Sequence, residues 1–263
     1  MPLKKAYVDT SLGQIHYRYD DSAPAGRPPL VLLHKSASSS SMYEAMMARL
    51  ASVFRVYALD TPGFGQSYDP VAVPDSAYYV AVLLEAISAL GIERFHLLGH
   101  HTGACFGGEM AVLAPQRVAS LTMIGPAVLT AAEREQFRGH YSTPFNQPVA
   151  DGGHLQKTWD YLGRMGGAAS LELQQRELLD HARAWLGRTQ AYSTVWDQDF
   201  AALYEKISCP MLLMCAPDDV LWPYYERALA ARPDARGAVI GGANFEPDID
   251  PERCVSALLE FIA

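Results

Sequence analysis

The run Gly99-His100-His101-Thr102-Gly103 sets two histidines between two glycines. Histidine is the side chain whose unperturbed pKa, about 6.5, lets it exchange protons near neutral pH. An apolar run, Phe95 to Gly99, precedes the pair, and a stretch rich in small residues, Thr102 to Ala114, follows it and stops at Pro115. The histidines therefore stand where a buried strand turns into a helix. Glycines on either side allow that turn to be sharp and lift the central side chain above the sheet, beside the free N–H groups of a helix N-terminus. The positive end of the helix favours a neutral imidazole, which suits a base or a nucleophile. Among the chain's eight histidines, His34 is the other one expected near this turn, and none follows His181. No carboxylate stands at helical ligand spacing from His34, His100 or His101, so no metal is expected.

Composition narrows the partners. A chain of 263 residues suits one α/β domain carrying an insertion. Lys and Arg number 21 against 29 Asp and Glu, a net charge of −8 with no basic cluster, which argues against nucleic acid and anionic membrane surfaces. No apolar run approaches the roughly 20 residues of a membrane helix. Met1 to Thr10 holds two lysines without an apolar stretch after them, so no export signal is expected and the expected location is cytoplasmic. Cys105, Cys209, Cys215 and Cys254 form no C-x-x-C pair and are expected as reduced, mostly buried thiols. With no G-x-G-x-x-G after a strand and no G-x-x-x-x-G-K-[ST], no organic cofactor is implied. The expected partner is a small-molecule substrate, and a homodimer is left open.

The elements that must position the histidines alternate along the chain. Tyr7 to Tyr19 reads as a hairpin turning at Leu12-Gly13. Pro29 to His34, Phe54 to Asp60, Phe95 to Gly99, Val118 to Ile124 and Met211 to Ala216 are continuous apolar runs, as strands buried on both faces should be. Gly237 to Gly241 adds a short strand. Helical spacing covers Ser41 to Val53, Ser76 to Leu90, Tyr224 to Ala231 and Pro251 to Ile262. Between about Thr130 and Glu205 the chain is helical, polar and aromatic, without a buried strand. The fold class is α/β, a mostly parallel sheet flanked by helices and interrupted by one helical insertion.

From end to end the chain resembles the α/β-hydrolase superfamily. The resemblance is carried by five features in family order. His34 closes a strand at the oxyanion loop, and Asp60 to Ser67 (DTPGFGQS) looks like the family's D-x-P-G-x-G-x-S turn. Gly99 to Gly103 takes the place of the G-x-S-x-G nucleophile elbow. Pro210 to Pro223 looks like the acid-bearing strand and loop, and Gly241 to Phe245 like the loop that carries the family's histidine. The resemblance implies a core at residues 1–129 and 206–263 with a helical cap at 130–205. It also implies that Asp219 is the site acid, with Asp218 as the register alternative.

Three positions depart from the pattern. His101 replaces the nucleophile, Asn244 replaces the triad histidine, and Lys35 replaces the glycine after His34. A standard triad needs a hydroxyl, a base and an orienting carboxylate, and only the carboxylate remains in place. On one reading the base has moved into the nucleophile's seat. Thr102 N–H with that of Lys35 or Ser36 would form an oxyanion hole. Lys35 would add a positive charge or point to water, and Asn244 would bond substrate or anchor its loop. Two chemistries fit: His101 Nε2 attacks an ester, thioester or lactone, or His101 is the acid/base of a cofactor-free lyase or isomerase acting next to a carbonyl. An inactive small-molecule binder is the third reading. His100 is expected to pack beside His101 and His34 to support the loop, while Glu246 and Asp248 are expected in solvent, with a stand-in base as the alternative role for either. Of Ser36 and Ser38 to Ser41, one would cap the following helix and the rest would orient a polar substrate. Trp159, Tyr161, Trp185, Tyr192 and Trp196 would divide between the core of the insertion and the pocket wall.

Overall fold

Strands buried on both faces need cover on both faces, and the chain supplies it by alternation. A computed structural model describes residues 3–262. Its strands are β1 Lys4–Thr10, β2 Gly13–Asp20, β3 Leu30–Leu33, β4 Val56–Leu59, β5 Phe95–His100, β6 Val118–Ile124, β7 Met211–Cys215 and β8 Arg236–Val239. The helices of the first half are α1 Glu44–Leu50, α2 Ser76–Ala89 and α3 Thr102–Leu113. Between β6 and β7 lie α4 Ala131–Tyr141, α5 Gly153–Arg164, α6 Leu171–Arg183, α7 Trp185–Asp197 and α8 Phe200–Tyr204. The chain ends with α9 Trp222–Ala231, α10 Glu246–Ile249 and α11 Pro251–Ile262.

The eight strands form one sheet in the order β1-β2-β4-β3-β5-β6-β7-β8. β1, β2 and β4 pair antiparallel, and β4 through β8 pair parallel. Successive side chains enter opposite layers, as the pleat requires. Val31, Leu33 and Leu97 pack with Leu83 and Phe106 on one face, while Leu30, Leu32 and Leu98 pack with Met46, Met47 and Leu258 on the other. The four cysteines are buried and unbridged. Among the described residues, no helix is long and apolar enough to cross a membrane.

Local differences from the sequence expectation have local causes. The helix expected from Ser41 opens as a 3₁₀ turn at Ser40–Tyr43, because the Ser39 hydroxyl accepts the Ser41 N–H at 3.3 Å. Thr130 and Glu133 form a capping box that starts α4. The turn after β4 is knotted by Asp60, which accepts His16 Nδ1–H at 2.8 Å and the N–H groups of Ser40 at 2.6 Å and Gln66 at 2.9 Å. Burial opposes ionisation of Asp60, and these donors, His16 first, overcome it and hold the carboxyl at about 2.

Candidate active site

β5 runs into α3 through His101, whose φ of 46° and ψ of −107° put a bulky non-glycine residue in a sparsely allowed region. The turn is pinned by His101 N–H donating to Ile124 O at 2.9 Å and by Ala104 N–H and Cys105 N–H donating back to His101 O. Any side chain at Gly99 would strike the Gly103 carbonyl, and any at Gly103 the Leu33 and His34 carbonyls. The strand-to-helix turn is thus tight for a stated reason.

The His101 ring reaches across the ends of the strands to the loop after β7. Its Nε2 lies 2.7 Å from Asp219 Oδ2, and Asp219 Oδ1 accepts Leu221 N–H at 2.6 Å. Burial works against the Asp219 charge, but His101 and the Leu221 N–H outweigh it and hold the carboxyl below its ordinary range. An ionised Asp219 has no proton to give, so Nε2–H is the donor. Nδ1 then carries the free lone pair. Among the described residues it bonds no protein group, and His101 lines the cavity. The nitrogen available for chemistry is Nδ1, where the sequence analysis assigned Nε2. Asp218 points elsewhere and accepts Ala243 N–H at 3.2 Å.

The other residues singled out from sequence gather around this dyad in different capacities. His34 Nε2 accepts Thr61 N–H at 2.9 Å, so its Nδ1–H donates to Lys35 O at 2.8 Å. His34 lies behind the loop. Lys35 does not point to water: it is 5% exposed, donates to Asn244 O at 2.5 Å and lies 3.5 Å above the Phe245 ring. Burial pushes its ammonium below the usual lysine range. Ser36 N–H donates to Thr102 Oγ1 at 2.8 Å and is therefore spent. The N–H groups of Lys35 and Thr102 have no protein acceptor among the described residues. Asn244 anchors its loop, donating from Nδ2 to Met165 O at 3.1 Å and accepting Val220 N–H at 3.4 Å. His100 is fully buried, its ring centre 4.3 Å from that of His101.

Two expectations are overturned. Glu246 is not solvated: it is completely buried, 3.1 Å from His100 Nε2, and Asp248 forms an ion pair with Arg176 at 2.6 Å. α10 folds back beneath the elbow, a turn that the Pro247 position alone did not reveal. Nor do Ser38, Ser39 and Ser41 line the cavity, whereas Ser36 does. Ser38 donates to Glu177 at 2.8 Å, and Ser39 and Ser41 donate to Asp180 at 2.9 and 3.2 Å, clasping α6. Glu177 and Asp180 gave no sequence signal, since carboxylates in a polar helix are ordinarily expected in solvent, whereas Glu177 is buried.

Asp180 illustrates the cost of that clasp. Burial and the neighbouring Glu177 push its carboxyl up to about 7. A carboxyl raised on folding is protonated in the native state where the unfolded chain has already ionised, so stability falls as pH rises from about 4 to about 7. Asp180→Asn is expected to raise Tm at pH 8 and leave it nearly unchanged at pH 4. Thermal melts at the two pH values check this.

Above the dyad is a cavity, part of it open to solvent, walled by His101, Thr102, Tyr141, Tyr161, Tyr192 and Trp196. Trp159 and Trp185 lie outside this wall and are half-buried. Tyr192 Oη donates to Ser36 O at 2.8 Å, which ties α7 to the β3–α1 loop. The surface is mostly apolar and aromatic, with a few convergent polar groups, as small-molecule sites are. His100, His101 and Asp219 also bring donor atoms within 4.8 Å of one another. Helical spacing could not anticipate this set, because its carboxylate comes from another strand. The residue types suit a divalent transition metal, but the His101–Asp219 separation is that of a hydrogen bond.

Residues 28–189 match the alpha/beta hydrolase fold family. A Yersinia enterocolitica protein named as a carbamate hydrolase, RutD, is 28% identical over 210 residues, which cover 77% of this chain and 74% of that protein. The fluoroacetate dehalogenase of a Burkholderia species is 25% identical over 265 residues, covering 90% of this chain and 87% of the dehalogenase. A hydrolase from Pseudomonas aeruginosa superposes with a TM-score of 0.82 at 24% identity, covering 99% of this chain and 98% of that one, a likeness of fold.

Proposed function

The chain belongs to the α/β-hydrolase fold family, and from that premise we propose that it is a hydrolase of small carbonyl substrates, of ester, thioester or lactone type, in which His101 is the general base. The observation that carries this is the orientation of one ring: Nε2–H fixed on Asp219, Nδ1 open to an apolar cavity beside two unspent backbone N–H groups. The names of the relatives, carbamate hydrolase and dehalogenase, support hydrolytic chemistry.

Nδ1 is flanked by the ring's own Cγ substituent, so direct acylation there is crowded, and a water molecule is the better attacking group. In the proposed steps, Nδ1 takes a proton from water as the oxygen bonds the carbonyl carbon. The N–H groups of Thr102 and Lys35 receive the resulting oxyanion. As the tetrahedral species collapses, Nδ1–H returns the proton to the leaving group. Asp219 stabilises the imidazolium formed in between. The helices of residues 130–205 act as the cap, and their aromatic side chains shield the reaction from bulk water.

A panel of p-nitrophenyl esters, short thioesters and lactones tests the reading. Hydrolysis by the wild type that His101→Ala lacks supports it. Equal background rates for both proteins, with thermal stabilisation by the same compounds, identify a binder instead.

A further inference from the structure

The helical insertion brings a second imidazole to the cavity, and the proposed steps do not use it. His181, near the end of α6, is 4% exposed and lines the cavity together with His101. Its Nδ1 lies 2.9 Å from the carbonyl oxygen of Glu177, one helical turn back. A carbonyl can only accept, so Nδ1 carries the proton. Little around the ring calls for a second one. The nearest carboxylate, Glu177, is 3.9 Å away and is already met by Arg176 at 2.7 Å and Ser38 at 2.8 Å. Burial pushes the ring down to about 4; Glu177 opposes this, while Arg188 and Lys35 add to it. The lone pair of a neutral His181 is therefore on Nε2, which among the described residues bonds no protein group. A buried acceptor without a donor is costly, so the position calls for a ligand that supplies one. The ring also keeps its place. Asn146 Nδ2 donates to His181 O at 2.8 Å, and Ser38 and Ser39 fasten the same helix to the core.

The walls say what kind of molecule would bring that donor. Tyr141, Tyr161, Tyr192 and Trp196 line the same cavity, and the Tyr192 and Trp196 rings stack within 5° of parallel. Such walls suit a flat aromatic molecule. Arg188 does not line the cavity but lies against three of these rings, 6.0, 5.9 and 5.0 Å from the centres of Tyr141, Tyr161 and Tyr192. With one cation already on the rings and Lys35 in the wall, a cationic ligand is disfavoured and a neutral donor remains. We propose that His181 Nε2 is the acceptor of a specificity subsite, and that the substrate is an aromatic carbonyl compound with a neutral hydroxyl or amino group on its ring. The carbonyl meets His101 and the Thr102 N–H on the core side, and the ring donor meets His181 on the side of the insertion. This substrate class rests on the proposed hydrolysis, whereas the subsite can be read with compounds that the enzyme cannot hydrolyse.

Substituted acetophenones provide the test, since a ketone has no leaving group to lose. Calorimetric titration of the full chain compares the 3- and 4-hydroxy and 3- and 4-amino compounds with the 3- and 4-methyl compounds, which match them in size but carry no donor. The wild type is expected to bind at least one donor-bearing ketone about tenfold tighter than its methyl counterpart, the worth of one hydrogen bond. His181→Phe keeps an aromatic ring without the acceptor and is expected to bring that pair within about twofold of each other. His181→Leu takes its place if the Phe variant does not fold. Histidine ¹⁵N NMR of the wild type at pH 7 adds a readout that needs neither variant. A ring protonated on Nδ1 alone should show its Nε2 signal moving upfield with the donor-bearing ketone and not with the methyl one. His101, which also lines the cavity, has a proton on Nε2, so the tautomer tells the two rings apart. Equal affinities for donor and methyl compounds overturn the proposal, as does the failure of all six to bind. So does a preference that survives the loss of His181, or a wild-type spectrum in which no Nδ1-protonated ring responds. Should the preference depend on His181 while the ester panel shows no turnover, the proposed hydrolysis fails and the subsite stands.

Discussion

His101→Ala is expected to lower kcat for a hydrolysed ester by about 10²–10⁴, the range that a positioned general base supplies. Asp219→Asn should cost about as much for a different reason. The amide cannot accept Nε2–H, so the ring is free to take the opposite tautomer, which puts the proton on Nδ1 and removes the lone pair that faces the cavity. Because the two residues act as a unit, the double variant should be no slower than the worse single one. Steady-state kinetics of the three proteins at pH 7.5 check this. An Asp219→Asn protein with full activity would show that the carboxylate does not set the tautomer.

The second large effect is expected at a residue that touches no substrate. Gly125 ends β6 with a φ of 61°, and a methyl group there would overlap Cδ2 and Nε2 of His101. An imidazole at the elbow reaches the acid loop only because this position has no side chain. Gly125→Ala is expected to swing the ring off Asp219 and reduce kcat by about 10² or more, a displacement effect of the kind seen when reacting groups move by about 1 Å. The left-handed backbone adds strain on the order of 1–3 kcal/mol. The effect on kcat should therefore exceed what the loss of Tm explains. Gly139→Ala in α4, where nothing lies within 4 Å, is the control and should be neutral or stabilising by about 0.5–1 kcal/mol. Equal kinetics in Gly125→Ala and wild type would show that the ring does not depend on that gap.

What could be read in the chain follows from how local each signal is. β3, β5 and β7 announce themselves because strands covered on both faces must be apolar throughout. The strand-turn-helix around His101 is equally local, since its glycines and its neighbours lie within five residues. Contacts made across the fold left no such trace. Ser38, Ser39 and Ser41 looked like substrate ligands because their partners in α6 are 139–141 residues away. Glu246 looked like a solvated residue after the Asn244 loop. Nothing in its neighbourhood says that α10 tucks under β5, where His100 waits. Which of Asp218 and Asp219 faces His101 was likewise hidden, because Asp218 is held by a distant N–H, that of Ala243, and Asp219 meets a ring 118 residues away.

The serine clasp also bears on how molecules enter and leave. α6 is riveted to the core by Ser38–Glu177, by Ser39 and Ser41 on Asp180, by Arg176 on Asp248 and by Arg183 on Asp69. Lifting it would strand buried carboxyls. α4 has no buried residue and is held at its rim by exposed pairs such as Arg227–Glu133 and Arg138–Asp197, which are individually weak. Phe137 and Tyr141 thus line the cavity on the side with the weaker charged fastenings.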